Sequence, residues 1–300
     1  MSLRVALDAM GGDAAPAATV AGALQASAEY GVDVVLVGRT DELSEQLRTL
    51  GGDLPIVDAA DVIGMDEDPV AAVRAKPTAS VRVACQLVAD GQAGAVVSAG
   101  STGATLTSAL LTLGRLPGVR RPVVAAVIPA SGGRQVVLAD AGGSMDVHAD
   151  AFVGYAAMGS AYAEALGVTA PTVALLNVGT EAGKGSALAK GAFEELSALQ
   201  GFVGNIEPEG VVAGTADVVV TDGFTGNIFL KAVEAVAALS EGEHDSAAIL
   251  LGINGEVLIA HGAATADDVA LALRRGAQVA AAGLAEQVGR RLTPAEEASS

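Results

Sequence analysis

The sequence predicts a three-layer α/β/α protein with a mostly parallel, mixed sheet. Two observations carry this expectation. Short runs rich in Val, Ile and Leu recur with little polar alternation, as strands buried on both faces require. Helical stretches separate many of them, and that alternation places helices on the faces of a mainly parallel sheet. The runs are Leu3–Asp8, Val32–Val37, Leu54–Val57, Ala95–Ser98, Val123–Ile128, Val136–Ala139, Val173–Leu176, Phe202–Ile206, Val218–Val220 and Val257–Ala260. The helical stretches are Pro16–Tyr30, Asp41–Leu50, Ser80–Asp90, Thr102–Leu113, Ala149–Leu166, Ser186–Leu199, Thr225–Leu239 and Thr265–Leu292. The two runs around Ser131–Arg134 have no helix between them and read as a hairpin, which makes the sheet mixed.

The 300 residues suit one large α/β unit or two intimate subdomains. Residues 1–292 are read as a single domain and 293–300 as a frayed polar tail, because no Pro/Ser-rich linker or internal repeat divides the chain. Aromatics are 3% and Trp is absent, so small aliphatic side chains must build the core. A single cysteine, Cys85, excludes an intrachain disulfide framework and a multi-thiolate metal site. Its neighbours Ala84 and Leu87 mark it as a small buried hydrophobe rather than a nucleophile. Leu3–Ala9 reads as a strand and not as a signal peptide, so a cytoplasmic protein is expected. The longest uncharged stretch, Gly91–Gly114, holds five Gly and seven Ser or Thr and is a poor membrane span.

The net charge of −18 excludes general nucleic-acid binding. Its distribution is uneven. Residues 71–134 hold seven basic residues (Arg74, Lys76, Arg82, Arg115, Arg120, Arg121, Arg134) and one acid, Asp90, a net +6 against −24 for the rest. Either this is a run of solvated Arg or it is an attractive field for an anionic substrate or acidic partner.

Ligands of open α/β sheets bind beyond the carboxyl ends of the strands, and here those ends carry Gly-flanked polar residues. The first strand runs into Asp8-Ala9-Met10-Gly11-Gly12-Asp13, where two carboxylates bracket a glycine pair. The Ala95–Ser98 strand leads to Gly100-Ser101-Thr102-Gly103 and then a helix. Free N–H groups at a helix start, with two hydroxyls, make an anion cradle, although Ser or Thr at such a place also serves simply as a cap. It is neither a Walker loop nor a dinucleotide fingerprint. The Val173–Leu176 strand ends at Asn177-Val178-Gly179-Thr180-Glu181, followed by Lys184 between two glycines, one of only four Lys in the chain. Such a Lys suits contact with phosphate or a developing oxyanion; an ordinary exposed Lys is the alternative. Asp222, in Asp222-Gly223-Phe224-Thr225-Gly226-Asn227, suits orienting a bound group or capping the next helix. His261 stands at a strand end, whereas His148 and His244 lie in polar surroundings that face solvent.

Taken in order, these segments resemble the bacterial phosphate acyltransferases that feed phosphatidic acid and phospholipid synthesis. The matching stretches are ALDAMGGD from Ala6, MDEDPVAAVRAK from Met65, SAGSTGA from Ser98, LLNVGTEAGKG from Leu175, FVGNIE from Phe202, DGFTGN from Asp222 and LLGINGEVLIAHG from Leu250. The resemblance implies a fold related to phosphotransacetylases and isocitrate or isopropylmalate dehydrogenases, and a homodimer. It implies transfer of an acyl group from acyl carrier protein to inorganic phosphate, with no cofactor and no catalytic metal. A glycerol-3-phosphate acyltransferase would act downstream. Two departures stand out. The cradle reads Ser-Thr-Gly where many relatives have Asn-Thr-Gly. The segment between Lys231 and Leu250 is short and polar, where relatives carry a longer helical insertion associated with peripheral membrane contact, so membrane contact is not expected here.

Thioester phosphorolysis needs no enzyme nucleophile, because phosphate attacks the carbonyl and a thiol of pKa ~8.5 leaves readily. On this reading Ser101, Thr102 and Gly103 hold phosphate, with Asp8, Gly11, Gly12, Asp13, Asn177 and Asn227 in the same substrate site. Lys184 stabilises charge, His261 donates a proton or hydrogen bond, and Asp222 assists. Arg115, Arg120 and Arg121 are the expected docking surface for the acidic carrier protein. Two alternatives stay open: a phosphotransacetylase using short acyl-CoA, and an inactive scaffold for lipid-synthesis enzymes.

Overall fold

A computed structural model of the chain describes residues 4–237 and 247–292. They form two compact units, one of residues up to 114 and from 247 to 282, the other of residues 115–237 and 283–292.

In the first unit the strands run in the order β3 (Ile56–Asp58), β2 (Val34–Gly38), β1 (Val5–Asp8), β4 (Ala95–Ser98), β11 (Glu256–Ile259) and β10 (Ala248–Leu251). All pair in parallel except β10 with β11. Its helices are α1 (Ala17–Tyr30), α2 (Thr40–Leu50), α3 (Pro69–Ala75), α4 (Ser80–Ala89), α5 (Thr102–Thr112) and α10 (Ala266–Ala282). Side chains alternate across a strand, so Val5 and Leu7 face one way and Ala6 and Asp8 the other. Gly276 of α10 meets Val5, Ala95 and Val97, whereas Asp8 faces Ser80 of α4. Helices therefore cover both faces of this sheet. Val5, Leu7, Leu36 and Val97 between them are fully buried.

In the second unit the order is β5 (Val123–Pro129), β6 (Gln135–Ala139), β9 (Val218–Val220), β7 (Val173–Leu176) and β8 (Phe202–Ile206). Here β5 and β6 form the antiparallel hairpin expected around Ser131–Arg134, and the other pairs are parallel. Its helices are α6 (Ala151–Ala165), α7 (Ala187–Leu196), α8 (Pro208–Ala213), α9 (Gly223–Ala237) and α11 (Leu284–Leu292). Gly159 of α6 packs on Val137, Ala139 and Val218, and α11 packs on α6.

The structure differs from the sequence expectation in four places. Thr265–Leu292 is not one helix: Gly283, at φ 62°, ends α10 before α11 begins. Helices α3 and α8 are additional; each starts with Pro at its first turn, where the missing N–H costs nothing, and Asp68 caps α3 through Ala71 N at 2.8 Å. Strand β10 is also additional. The third strand spans Ile56–Asp58 rather than Leu54–Val57. His244, the polar segment Ser240–Asp245 and the tail 293–300 lie outside the described residues. Among the described residues no helix is long and apolar enough to cross a membrane.

Candidate active site

The candidate residues fall into two groups, one in each unit. In the first unit β1, β4 and β11 are neighbours in register, with Asp8 opposite Ser98 and Ser98 opposite Ile259. Their three carboxyl ends therefore meet. Asp13 N donates to Gly262 O at 2.8 Å, which ties the DAMGGD turn to the His261 turn. The turn after β1 also touches the cradle directly: a Cβ on Gly11 would lie 2.8 Å from Gly100 N and 2.6 Å from Asp8 Oδ2, so only glycine fits. Ser101 caps α5, accepting from Ala104 N at 3.5 Å, and Thr102 is exposed at the helix start. Gly103 packs on Pro69. Asp13 is exposed and Gly12 half-buried.

Asp8 lies beneath this surface, 3% exposed. Ser98 Oγ donates to its Oδ2 at 2.7 Å and accepts from Gly100 N at 3.1 Å. Asp8 Oδ1 has no hydrogen-bond partner among the described residues. It lines a cavity of about 10 Å³, with Ser80, Ser98, Ser101 and Thr105, which is room for one water. Burial raises the Asp8 pKa above the usual carboxylate range, against the lowering effect of the Ser80 and Ser98 hydroxyls nearby. His261 is exposed, and its Nδ1 accepts from Ala263 N at 3.2 Å. With Nδ1 accepting, Nε2 is the ring nitrogen placed to act as a donor.

The MDEDPVAAVRAK segment forms a clasp beside the cradle. Lys76 Nζ binds Glu67 Oε1 and Oε2 at 2.6 and 2.8 Å and Val62 O at 2.8 Å, while Gly64 N donates to Glu67 at 2.6 Å. Lys76 holds the Glu67 pKa down. The clasp brings Met65 against Gly262.

In the second unit, Asn177 is buried at the end of β7 with its amide engaged inside its own loop. Its Nδ2 donates to Lys184 O at 3.1 Å and its Oδ1 accepts from Val178 N at 2.8 Å. The Lys184 side chain is 51% exposed, with Glu181 Oε2 4.0 Å from its ammonium. Asp222 caps the start of α9: Oδ1 accepts from Thr225 N at 2.9 Å and Oδ2 from Thr225 Oγ1 at 2.7 Å. Asn227 is half-buried, against Gly142.

Arg115, Arg120 and Arg121 come together at the entrance to β5. Arg115 donates to the Arg120 carbonyl, Arg120 pairs with Asp150, and Arg121 donates to Asp146 O at 2.8 Å. All three are exposed, and Arg120 and Arg121 line an open groove of about 240 Å³ walled by Val119, Val153 and Met158.

One buried group escaped the sequence reading. Asp140, just after β6, is fully buried, and its Oδ1 accepts from Val124 N, Gly142 N and Gly143 N at 3.2, 3.0 and 2.7 Å. The signal was present as Asp140-Ala141-Gly142-Gly143, a near copy of Asp8-Ala9-Met10-Gly11-Gly12 that is too short to register as a repeat. Cys85 is buried, and burial pushes its thiol up to about 12, so it is no thiolate at neutral pH.

A family model described as "Fatty acid synthesis protein" matches residues 3–241. The phosphate acyltransferase of Thermus thermophilus is 43% identical over 97% of this chain and 99% of its own. That of Thermobifida fusca is 40% identical over 95% and 90%. A phosphotransacetylase from Streptococcus pyogenes superposes with a TM-score of 0.72 at 20% identity, covering 94% of both chains. A 4-hydroxythreonine-4-phosphate dehydrogenase from Klebsiella pneumoniae gives 0.57 at 16% identity over 93% and 98%. The likeness to these two solved structures is one of fold.

Proposed function

Because the chain belongs to the phosphate acyltransferase family, we propose that it moves a fatty acyl group from acyl carrier protein to inorganic phosphate. The products are free carrier and acyl phosphate, which a glycerol-3-phosphate acyltransferase consumes on the way to phosphatidic acid. The observation that carries this reading is the junction of the DAMGGD, Ser-Thr-Gly and His-Gly turns at adjacent strand ends.

A phosphate oxygen attacks the thioester carbonyl, the C–O bond forms, and the C–S bond breaks as the thiolate leaves. The protein must align the anion and stabilise the tetrahedral oxyanion. The free N–H groups and hydroxyls of Ser101, Thr102 and Gly103 bind phosphate. Gly11, Gly12 and Asp13 shape the same surface, and Asp8 supports it from below. Lys184 Nζ neutralises developing charge, on a loop braced by Asn177. His261 Nε2–H donates to the carbonyl or leaving group, and Asp222 and Asn227 order the start of α9. The enzyme works as a cytoplasmic homodimer, and Arg115, Arg120 and Arg121 receive the acidic carrier.

The test is a side-by-side assay of acyl carrier protein and short acyl-CoA donors. A large preference for the acyl-carrier donor supports the reading. Equal or better rates with short acyl-CoA would make the chain a phosphotransacetylase, and no turnover of either donor by pure folded protein would leave a scaffold.

A further inference from the structure

Asp140 lies close against the glycines of the Asp222–Asn227 segment. A Cβ on Gly226 would fall 1.8 Å from Asp140 O, and one on Gly223 would fall 2.9 Å from Asp140 Oδ2. Gly142, whose N–H grips the same carboxylate, lies against Asn227. The turn after β6 is thus the seat of the segment that opens α9. Its shape is set by one side chain that draws three backbone N–H groups inward. Asp140 Oδ2 has no hydrogen-bond partner among the described residues.

A charge at this position is unfavourable for the fold. Burial is the main cause that pushes the Asp140 carboxyl up to about 6, against the N–H groups of Gly143, Gly142 and Val124. A group with a raised folded value contributes its full stability below its unfolded pKa and loses it as pH rises through about 6. At neutral pH the ionised group therefore lowers stability. Tyr155 on α6 lies within the field of Asp140, and Asp222 ahead of α9 and Arg121 ahead of β5 act on that same Tyr155. Arg121 is engaged on the Asp146 carbonyl. A buried carboxylate raised by desolvation, gripped by three backbone N–H groups beside a candidate site segment, points to function.

We propose that Asp140 is a positioning residue for acyl transfer: its carboxylate, gripped by the N–H groups of Val124, Gly142 and Gly143, fixes the turn on which Asp222–Asn227 is seated. The proposal rests on the reading above that this segment belongs to the active site. Losing the negative charge, by substitution or by acid, loosens the seat and misplaces the segment.

The experiment compares wild-type enzyme with Asp140→Asn by denaturant unfolding, steady-state kinetics from pH 5.5 to 8, and amide hydrogen exchange. Expected at pH 7.5 are an unfolding midpoint equal to or above wild type and kcat reduced by about 10²-fold, the cost of an ångström-scale misplacement. KM for phosphate should stay within about threefold, faster exchange should be confined to the 142–144 turn and the start of α9, and the loss of rate near pH 6 should be absent from the variant. Unchanged kcat overturns the proposal. So does reduced kcat with unchanged exchange, or a destabilised variant whose folded fraction keeps wild-type kcat. If Asp140→Asn does not fold, exchange on the wild type decides: acid below pH 6 must loosen the same two segments while β6 and β9 stay protected, and uniform loosening overturns the idea. A wild-type enzyme inert towards every acyl donor would defeat the proposed function, while the exchange pattern would still decide whether Asp140 holds the seat.

Discussion

Lys184 is placed by a neighbour rather than by its own contacts. Asn177 fixes the loop through the Lys184 carbonyl, and the ammonium remains half exposed with Glu181 at the edge of ion-pair distance. Lys184→Ala should therefore leave the unfolding midpoint unchanged and lower kcat by about 10²–10³-fold, the usual cost of one oxyanion contact. Wild-type kcat would make it an ordinary surface Lys. Cys85 gives the opposite expectation. A thiol pushed up to about 12 and sealed in the core cannot be the nucleophile. Cys85→Ala should keep near wild-type activity, and intact-mass spectra during turnover should show no acyl-protein adduct.

At this scale the sequence was legible wherever chemistry and chain position coincided. Asp8, Ser101 and His261 stand at strand ends beside glycines, and the structure places all three turns together. It was not legible that Asp8 lies under the surface, because burial of a strand-end carboxylate depends on a helix contact, from Ser80, that no local pattern encodes. Nor was the engagement of Asn177 within its own loop, which rests on a contact seven residues away. Asp140 was missed because a lone Asp before two glycines reads as a turn.

At the level of elements, the turn after β1 makes the strictest demand. Alanine at Gly11 would drive its Cβ into Gly100 N, a backbone atom that cannot rotate away. Gly11→Ala should cost about 1–3 kcal/mol, typical of overpacking, and should abolish most activity by parting the β1 and β4 turns. A denaturant midpoint and an activity assay on the folded fraction would check both. The buried strands were legible as short apolar runs with little polar alternation, and the longer helices because each repeats a period over many residues. The misses have two physical causes. Helices α3 and α8 span seven and six residues, too few for a periodic signal. The break between α10 and α11 rests on a single glycine inside a continuous amphipathic pattern.

At the scale of the whole molecule, charge is the organising quantity. On the proposed function a chain of net charge −18 would meet an acidic carrier, and unscreened repulsion extends over roughly 8 Å at physiological salt. Arg115, Arg120 and Arg121 offer a local remedy, although Asp150 neutralises part of it, Arg115 braces its own loop and Arg121 is held on the Asp146 carbonyl. Reversing Arg120 and Arg121 to Glu should raise KM for the acyl-carrier donor and steepen no other parameter, since rim charges act on association. Equal damage with a small acyl-CoA analogue, or a change of oligomeric state in sedimentation, would assign these Arg to bracing instead.

The central claim is the reaction itself. Pure protein, acyl carrier protein loaded with palmitate and inorganic phosphate should be combined and followed by phosphorus NMR alongside thiol release. The account predicts a new acyl phosphate resonance growing one-for-one with free carrier thiol, and no thiol release when phosphate is omitted. Thiol release without phosphate, or with free fatty acid as the product in its presence, would contradict it.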